Sequence, residues 1–328
     1  MFSTVTKIIK RLTAIASTTA TELYGQPVVM LLSLGGVVAT ALIPFLQLHN
    51  FGEAARLARD GGLAYQLVIG LALAVVAASS SVHDEIANGT ASAALAKPVS
   101  RDLFIVGKWL GVMTATFRFW FCMLATTILA QRIAERIEND ANYVTDRPVQ
   151  FVLFLIPILA LAVAGYLHNR LRLRFCKAVL TVLTLLLGVA LFAGFFFTRT
   201  TAFAPAWSNL DLRVIPVSFL VLFSLGVYSA IATALATRLR AAPAMVICFI
   251  LLLIGLSSDT LLGPASPVPV RLLATLIPNL QSFWMCDALT AGGILPFGYL
   301  LQAALYAAAL TVLALGCAML LFRRKDLP

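Results

Sequence analysis

Charge is scarce in this sequence: Asp, Glu, Lys and Arg make up 12% of its 328 residues, about half their share in soluble domains. A chain of this size so poor in charge lacks the hydrated surface that a soluble fold needs. Histidine is scarcer still. His49, His83 and His168 lie far apart, and no cluster supplies the ligand spacing of a metal site or the base of a nucleophilic pair. His83-Asp84-Glu85 are adjacent and cannot all face one ion from a helix. Gly255-Leu256-Ser257-Ser258-Asp259 resembles a serine-nucleophile turn only superficially, because no His accompanies it. The five cysteines, Cys122, Cys176, Cys248, Cys286 and Cys317, form no C-x-x-C pair and read as small buried hydrophobes. Met285-Cys286-Asp287 with His49 has soft ligands for copper but no spacing motif. Also missing is G-x-x-x-x-G-K-[ST]. The one Gly-Lys pair, Gly107-Lys108, runs into Trp109 and has no cradle of backbone amides for phosphate. The chain reads as no enzyme.

What is abundant is apolar surface: 61% of residues are hydrophobic and the mean hydropathy is +0.95. Hydrophobic runs long enough to cross a hydrocarbon layer of about 30 Å as helix recur along the chain. They predict spans near 27–48, 63–82, 103–130, 149–166, 176–197, 214–236, 243–262 and 296–322, about eight in all, forming one all-α transmembrane bundle over 1–328. Residues 1–26 place Val5, Ile8, Ile9, Leu12 and Ile15 at helical spacing among Lys7, Lys10 and Arg11, the pattern of an amphipathic helix in the membrane interface. Segments 131–148 and 263–295 are expected as outer structures, the first with some helical character and the second partly re-entrant. Ala58 is expected on the outer surface.

An even number of spans puts both termini on one side. Fifteen of the 24 Lys and Arg fall on the side of the termini, among them Arg101, Lys108, Arg172, Arg174, Arg238 and Arg323, and eight on the other. That excess marks the cytoplasmic face of a cell membrane. A net charge of +10 is accounted for by this bias and by anionic lipid, with no nucleic-acid partner required. Arg118 is the exception, placed within the third span, where burying a charge costs roughly 2.5–3.5 kcal/mol on insertion scales. It reads either as a residue of a substrate path or as a structural charge paired within the bundle.

Residues 83–102 form a polar island between the second and third spans. Gly89 and Thr90 suit a turn and an N-cap, Ala91 to Lys97 a short helix, and Pro98 its stop. Ser100 then suits a second cap, with Asp102 in the first helical turn against the helix dipole. Asn88-Gly89-Thr90 matches a glycosylation acceptor, but a cytoplasmic loop does not meet that machinery.

The string Glu85, Asn88-Gly89-Thr90, Leu95, Lys97-Pro98-Val99-Ser100-Arg101, Gly107-Lys108 and Gly111 resembles the signature of ABC-2 type transporter permeases, E-x-x-x-G-T, then L-x-x-P-x-S-R, then G-K. The basic end Leu321-Phe322-Arg323-Arg324-Lys325-Asp326-Leu327 and the segment Ile277-Pro278-Asn279-Leu280 are similar to that family as well. In general appearance the chain is similar to the branch containing permeases of copper-enzyme maturation and gliding-motility systems. The resemblance implies a six-span core, here with an extra hairpin at 149–197, and a cytoplasmic coupling helix at 83–102 that docks on a separate ATP-binding subunit. It implies an exporter in which two permeases, identical or homologous, enclose the path. ATP and Mg²⁺ would be bound by the partner ATPase and no cofactor by this chain. Ile86 and Leu95 are expected to seat in a groove of that partner, with Glu85 and Lys97 at the rim, and Gly89, Thr90, Pro98, Ser100 and Arg101 shaping the joint. The alternative is a secondary transporter or an energy-independent subunit of a membrane complex. A secondary transporter, however, would be expected to carry intramembrane acids or histidines for ion coupling.

Overall fold

The computed structural model describes residues 2–46, 54–90, 100–134, 137–139, 142–144, 146–198, 202–206, 209–258, 278–290, 293 and 295–325. The expected segments at 91–99 and 259–277 therefore lie outside the described residues. Ten α-helices are described: α1 (Phe2–Tyr24), α2 (Pro27–Leu42), α3 (Ala54–Ala78), α4 (Arg101–Ala134), α5 (Arg147–Leu171), α6 (Phe175–Phe196), α7 (Val214–Ala236), α8 (Ala241–Leu256), α9 (Cys286–Thr290) and α10 (Phe297–Arg323). α3 continues without interruption through a π turn, Ser79–His83, and a last helical turn, Asp84–Ala87. Segment 131–148 is helix to Ala134. It then holds two short antiparallel strands, β1 (Ile137–Asn139) and β2 (Asn142–Val144), in the register Ile137↔Val144.

Among the described residues, seven helical stretches are long and apolar enough to cross a membrane: α2, α3, α4, α5, α6, α7 and α10. The chain is thus a polytopic helical bundle. α3, α4 and α7 are the inner helices, while α5, α6 and α10 turn most of their surface outward. Their outward residues, such as Phe151, Ile158, Leu185, Phe192 and Val312, are large and apolar, which suits a hydrocarbon surrounding. Between the inner helices sit a few satisfied polar groups. Gln66 of α3 and Ser218 of α7 exchange hydrogen bonds of 2.9 and 3.1 Å, and the Trp120 indole of α4 donates to the Ser218 carbonyl at 2.8 Å. Pairing of this kind avoids the cost of unsatisfied polar atoms away from water.

α8 is apolar but shorter than these seven stretches, 16 residues or about 24 Å. The chain folds back onto its end: Leu280 N–H donates to the Gly255 carbonyl at 3.1 Å and the Gln281 amide to the Leu256 carbonyl at 2.9 Å. These donors satisfy carbonyls that a helix end leaves open; residues 259–262 of the stretch expected at 243–262 lie outside the described residues. Leu280 and Phe283 are buried there, and Tyr299 Oη of α10 donates to the Ser282 carbonyl.

Contacts between helix ends sort the bundle into two poles. At one, Arg238 after α7 donates to Leu321 O of α10 at 3.2 Å, and Lys325 to Thr237 O at 2.6 Å. Arg323 at the end of α10 pairs with Asp102 at the start of α4. α7 and α10 therefore end side by side, and the chain between them must return to the opposite pole. α1 reaches the same end, with Ile15 against Gly107 and Thr19 against Gly111 of α4. Both ends of the chain thus lie toward this basic pole.

At the opposite pole, Arg132 at the end of α4 is buried and pairs with buried Asp146 ahead of α5 at 2.6 Å. It also donates to Gly194 O and Phe197 O at the end of α6. Gln131 reaches Asp211 before α7 at 2.8 Å. Ala58, expected on the surface, is fully buried here in a cluster with Ile43 and Ala134, because α3 begins at Ala54 and carries Ala58 into the packing.

Candidate functional site: the polar excursion between α3 and α4

The excursion leaves α3 through a widened turn. Asp84 N–H donates to Ser79 O, five residues back, the π pattern, which recurs at functional positions in helices. Ser80 Oγ holds this turn to Gln26 between α1 and α2 at 3.1 Å. His83 Nδ1 is buried with no hydrogen-bond partner among the described residues. After Ala87 the chain reverses at Gly89, whose φ of +71° lies where a Cβ is disfavoured. Asn88 N–H caps back to Asp84 O at 2.9 Å and the Thr90 hydroxyl to Glu85 O at 3.1 Å.

Two of the expected roles change on this geometry. Ile86 is only 3% exposed and belongs to the chain's own core with Val82, Phe104 and Phe322, so it is not free to seat in another protein's groove. Glu85 is turned inward to Lys108 of α4, whose ammonium is buried and also lies 5.5 Å from the Phe104 ring. The groove role of Ile86 therefore fails for a physical reason, since a helix continuing from α3 keeps the inward face of α3, while Glu85 is partly exposed and pairs its charge with Lys108. Asp84, Ala87, Asn88 and Thr90 are the exposed positions. Leu95, Lys97 and Pro98 lie outside the described residues.

The return into α4 is built as expected at Ser100, whose hydroxyl accepts from Leu103 N–H at 3.3 Å. Arg101 was expected in the joint, but its target was not foreseen. Its Nη1 reaches the carbonyls of Phe322, Arg323 and Lys325 at 3.4, 3.0 and 3.0 Å, the end of α10, where cations are favoured. Phe104 stacks on Phe322 with centroids 5.6 Å apart. Burial, then the neighbouring Arg238, pushes the Lys325 ammonium below its usual range. The excursion is thus bolted to α4 by Glu85–Lys108 and to α10 by Arg101 and Asp102.

Gly107 and Gly111, quoted for their likeness to a motif, serve close packing. A Cβ on Gly107 would meet Ile15 at 2.7 Å and one on Gly111 would meet Thr19 at 2.5 Å, so only glycine admits α1 at this distance. α1 runs alongside α4 in the same sense, since Tyr24 Oη reaches Thr114 O at 3.2 Å farther along.

Arg118 lies apart from this site. Its Nε donates to Thr184 Oγ1 of α6 at 3.0 Å, and its guanidinium sits 4.7 Å from the centre of the Tyr24 ring. Missed in the sequence were the Arg132–Asp146 pair and the partners Lys108 and Arg323. Their only signal was opposite charges at neighbouring span ends. Among the described residues no group of three His, Cys, Asp or Glu is placed to hold a metal ion. No family model matches this chain, and no curated protein matches it.

Proposed function

We propose that this chain is the membrane-spanning permease subunit of an ATP-driven exporter, moved by a separate ATPase that presses on the excursion between α3 and α4. The observation that carries the reading is mechanical. A polar loop leaves an otherwise apolar bundle, and both its ends are anchored by buried or multidentate contacts. A connection whose only task is to join two spans needs no such mounting. The basic pole is the cytoplasmic face, α8 with the turn after it makes the eighth crossing, and α1 enters from the cytoplasmic side along α4. A second copy or a homologous permease completes the path.

Affinity purification of the tagged chain from its native membrane tests this directly. An ATPase carrying a Walker A motif should co-purify, and its hydrolysis should rise when the permease is present. Asn88→Trp, on the exposed side of the loop, should cut that recovery by about tenfold, as expected for a central contact worth roughly 1.4 kcal/mol. Leu185→Phe, on the outward face of α6, should not. Membrane insertion should be equal in both. Recovery of the chain with no ATPase, or hydrolysis indifferent to the permease, would refute the reading.

A further inference from the structure

We propose that the groove beside Arg118 is a binding site for an anionic phospholipid, its phosphate on the guanidinium and its acyl chains along α4. The inference does not depend on the transport reading. Arg118 stands near the middle of the 34-residue α4, yet its two protein contacts are neutral, the Thr184 hydroxyl and the Tyr24 ring. No Asp or Glu among the described residues pairs with it. Its two terminal nitrogens have no hydrogen-bond acceptor among the described residues, and the side chain lines an open groove of 600 Å³ between α1, α4 and α6. A guanidinium so placed is incompletely compensated, and in a membrane a phosphate is the nearest available anion.

The rest of the groove fits a lipid rather than a free anion. Leu110, Met113, Phe117 and Phe121 supply an apolar wall, and Phe117 is 50% exposed. Leu185 of α6, next to the lining Thr184, is an outward apolar residue. A hydrated inorganic ion entering it would lose its water to hydrocarbon. Charge selects the anionic headgroup: Arg172 and Arg174 are exposed in the turn between α5 and α6, and Lys177 in the first turn of α6. The Arg174 guanidinium lies 3.4 Å from where a Cβ on Gly25 would stand, next to Tyr24. Arg174 thus stands beside Gly25, the residue that follows Tyr24, and the Tyr24 ring faces Arg118.

The test uses the full chain in detergent with phosphatidylglycerol or phosphatidylcholine at equal mole fraction and physiological salt, read by native mass spectrometry and thermal unfolding. Phosphatidylglycerol should be retained about fivefold in preference, the size expected for one basic side chain on an anionic headgroup, and should raise the melting temperature more than phosphatidylcholine does. Arg118→Gln should abolish the preference and Arg118→Lys keep part of it. Should Arg118→Gln fail to fold, Leu110→Trp, which fills the groove and leaves the charge in place, should lower phosphatidylglycerol retention by itself. Equal retention of the two lipids by the wild type would overturn the proposal. So would an unchanged preference in either Arg118→Gln or Leu110→Trp, or the same stabilisation by inorganic phosphate.

Discussion

Glu85 and Lys108 show how a single pair governs what its surroundings can do. Lys108 is 5% exposed, so removal of its partner leaves a buried ammonium with a ring and no counter-charge. Glu85→Gln should therefore lower stability by about 3 kcal/mol, whereas Glu85→Gln with Lys108→Met should recover most of that loss, since an apolar pair of similar volume is often as stable as the ions. Chemical denaturation or thermal melting in detergent checks both. Gly89 poses a different constraint. Nothing lies within 4 Å of a Cβ built there, so Gly89→Ala should cost only the backbone term, about 1 kcal/mol. Asp211 carries a pH dependence. Burial raises its pKa, but hydrogen bonds from Arg213 and Gln131 outweigh that and hold the carboxyl below the usual carboxylate range. A native pKa below the unfolded one contributes stability above the unfolded value, near 4, and loses it as pH falls through the native value. Asp211→Asn should accordingly flatten the acid limb of a stability profile below about pH 4.

Among the elements, the hairpin of α5 and α6 depends most on one contact. Arg132 of α4 holds Asp146, which also accepts Val149 N–H at 3.1 Å to cap α5, and the carbonyls at the end of α6. Arg132→Met should destabilise by about 3–5 kcal/mol. Limited proteolysis should then cut between α4 and α5 before it cuts elsewhere. The span that was read most closely was α7, because 214–236 is uniformly apolar and bracketed by Arg213 and Arg238. α3 was placed nine residues late because Arg56, Arg59 and Asp60 look like a loop. In the fold Arg56 and Asp60 form an i,i+4 pair at 3.5 Å and Arg59 is buried beside Asp60, so the helix absorbs its own charges. The loop's turn at Gly89 and the cap at Ser100 were legible because both act within a few residues. The partners of Glu85 and Arg101 were not, since each lies on another helix and only packing brings them together.

For the whole molecule, the two poles make a labelling prediction. With the five native cysteines replaced, single cysteines at Asp84 and Leu173 should react with an impermeant reagent only after lysis. Cysteines at Leu57 and Arg147 should react in intact cells. Labelling of Asp84→Cys in intact cells would invert the orientation. The widened turn at Ser79–His83 sets a further property of the molecule, its tolerance of changes in chain length. One residue more than an α-helix needs is accommodated there, and everything after it is rotated by about 100° relative to an uninterrupted helix. Deleting a single residue from this turn would leave α3 an acceptable helix and change no buried side chain upstream. The offset of the widened turn and the loss of one residue cancel, so this deletion would keep Glu85 facing Lys108 and Ile86 facing the core. A second deletion would have no extra residue left to remove and would swing both by about 100°, so the loop's phase against the bundle is stored as a count of residues that can fall by one at this turn and no further.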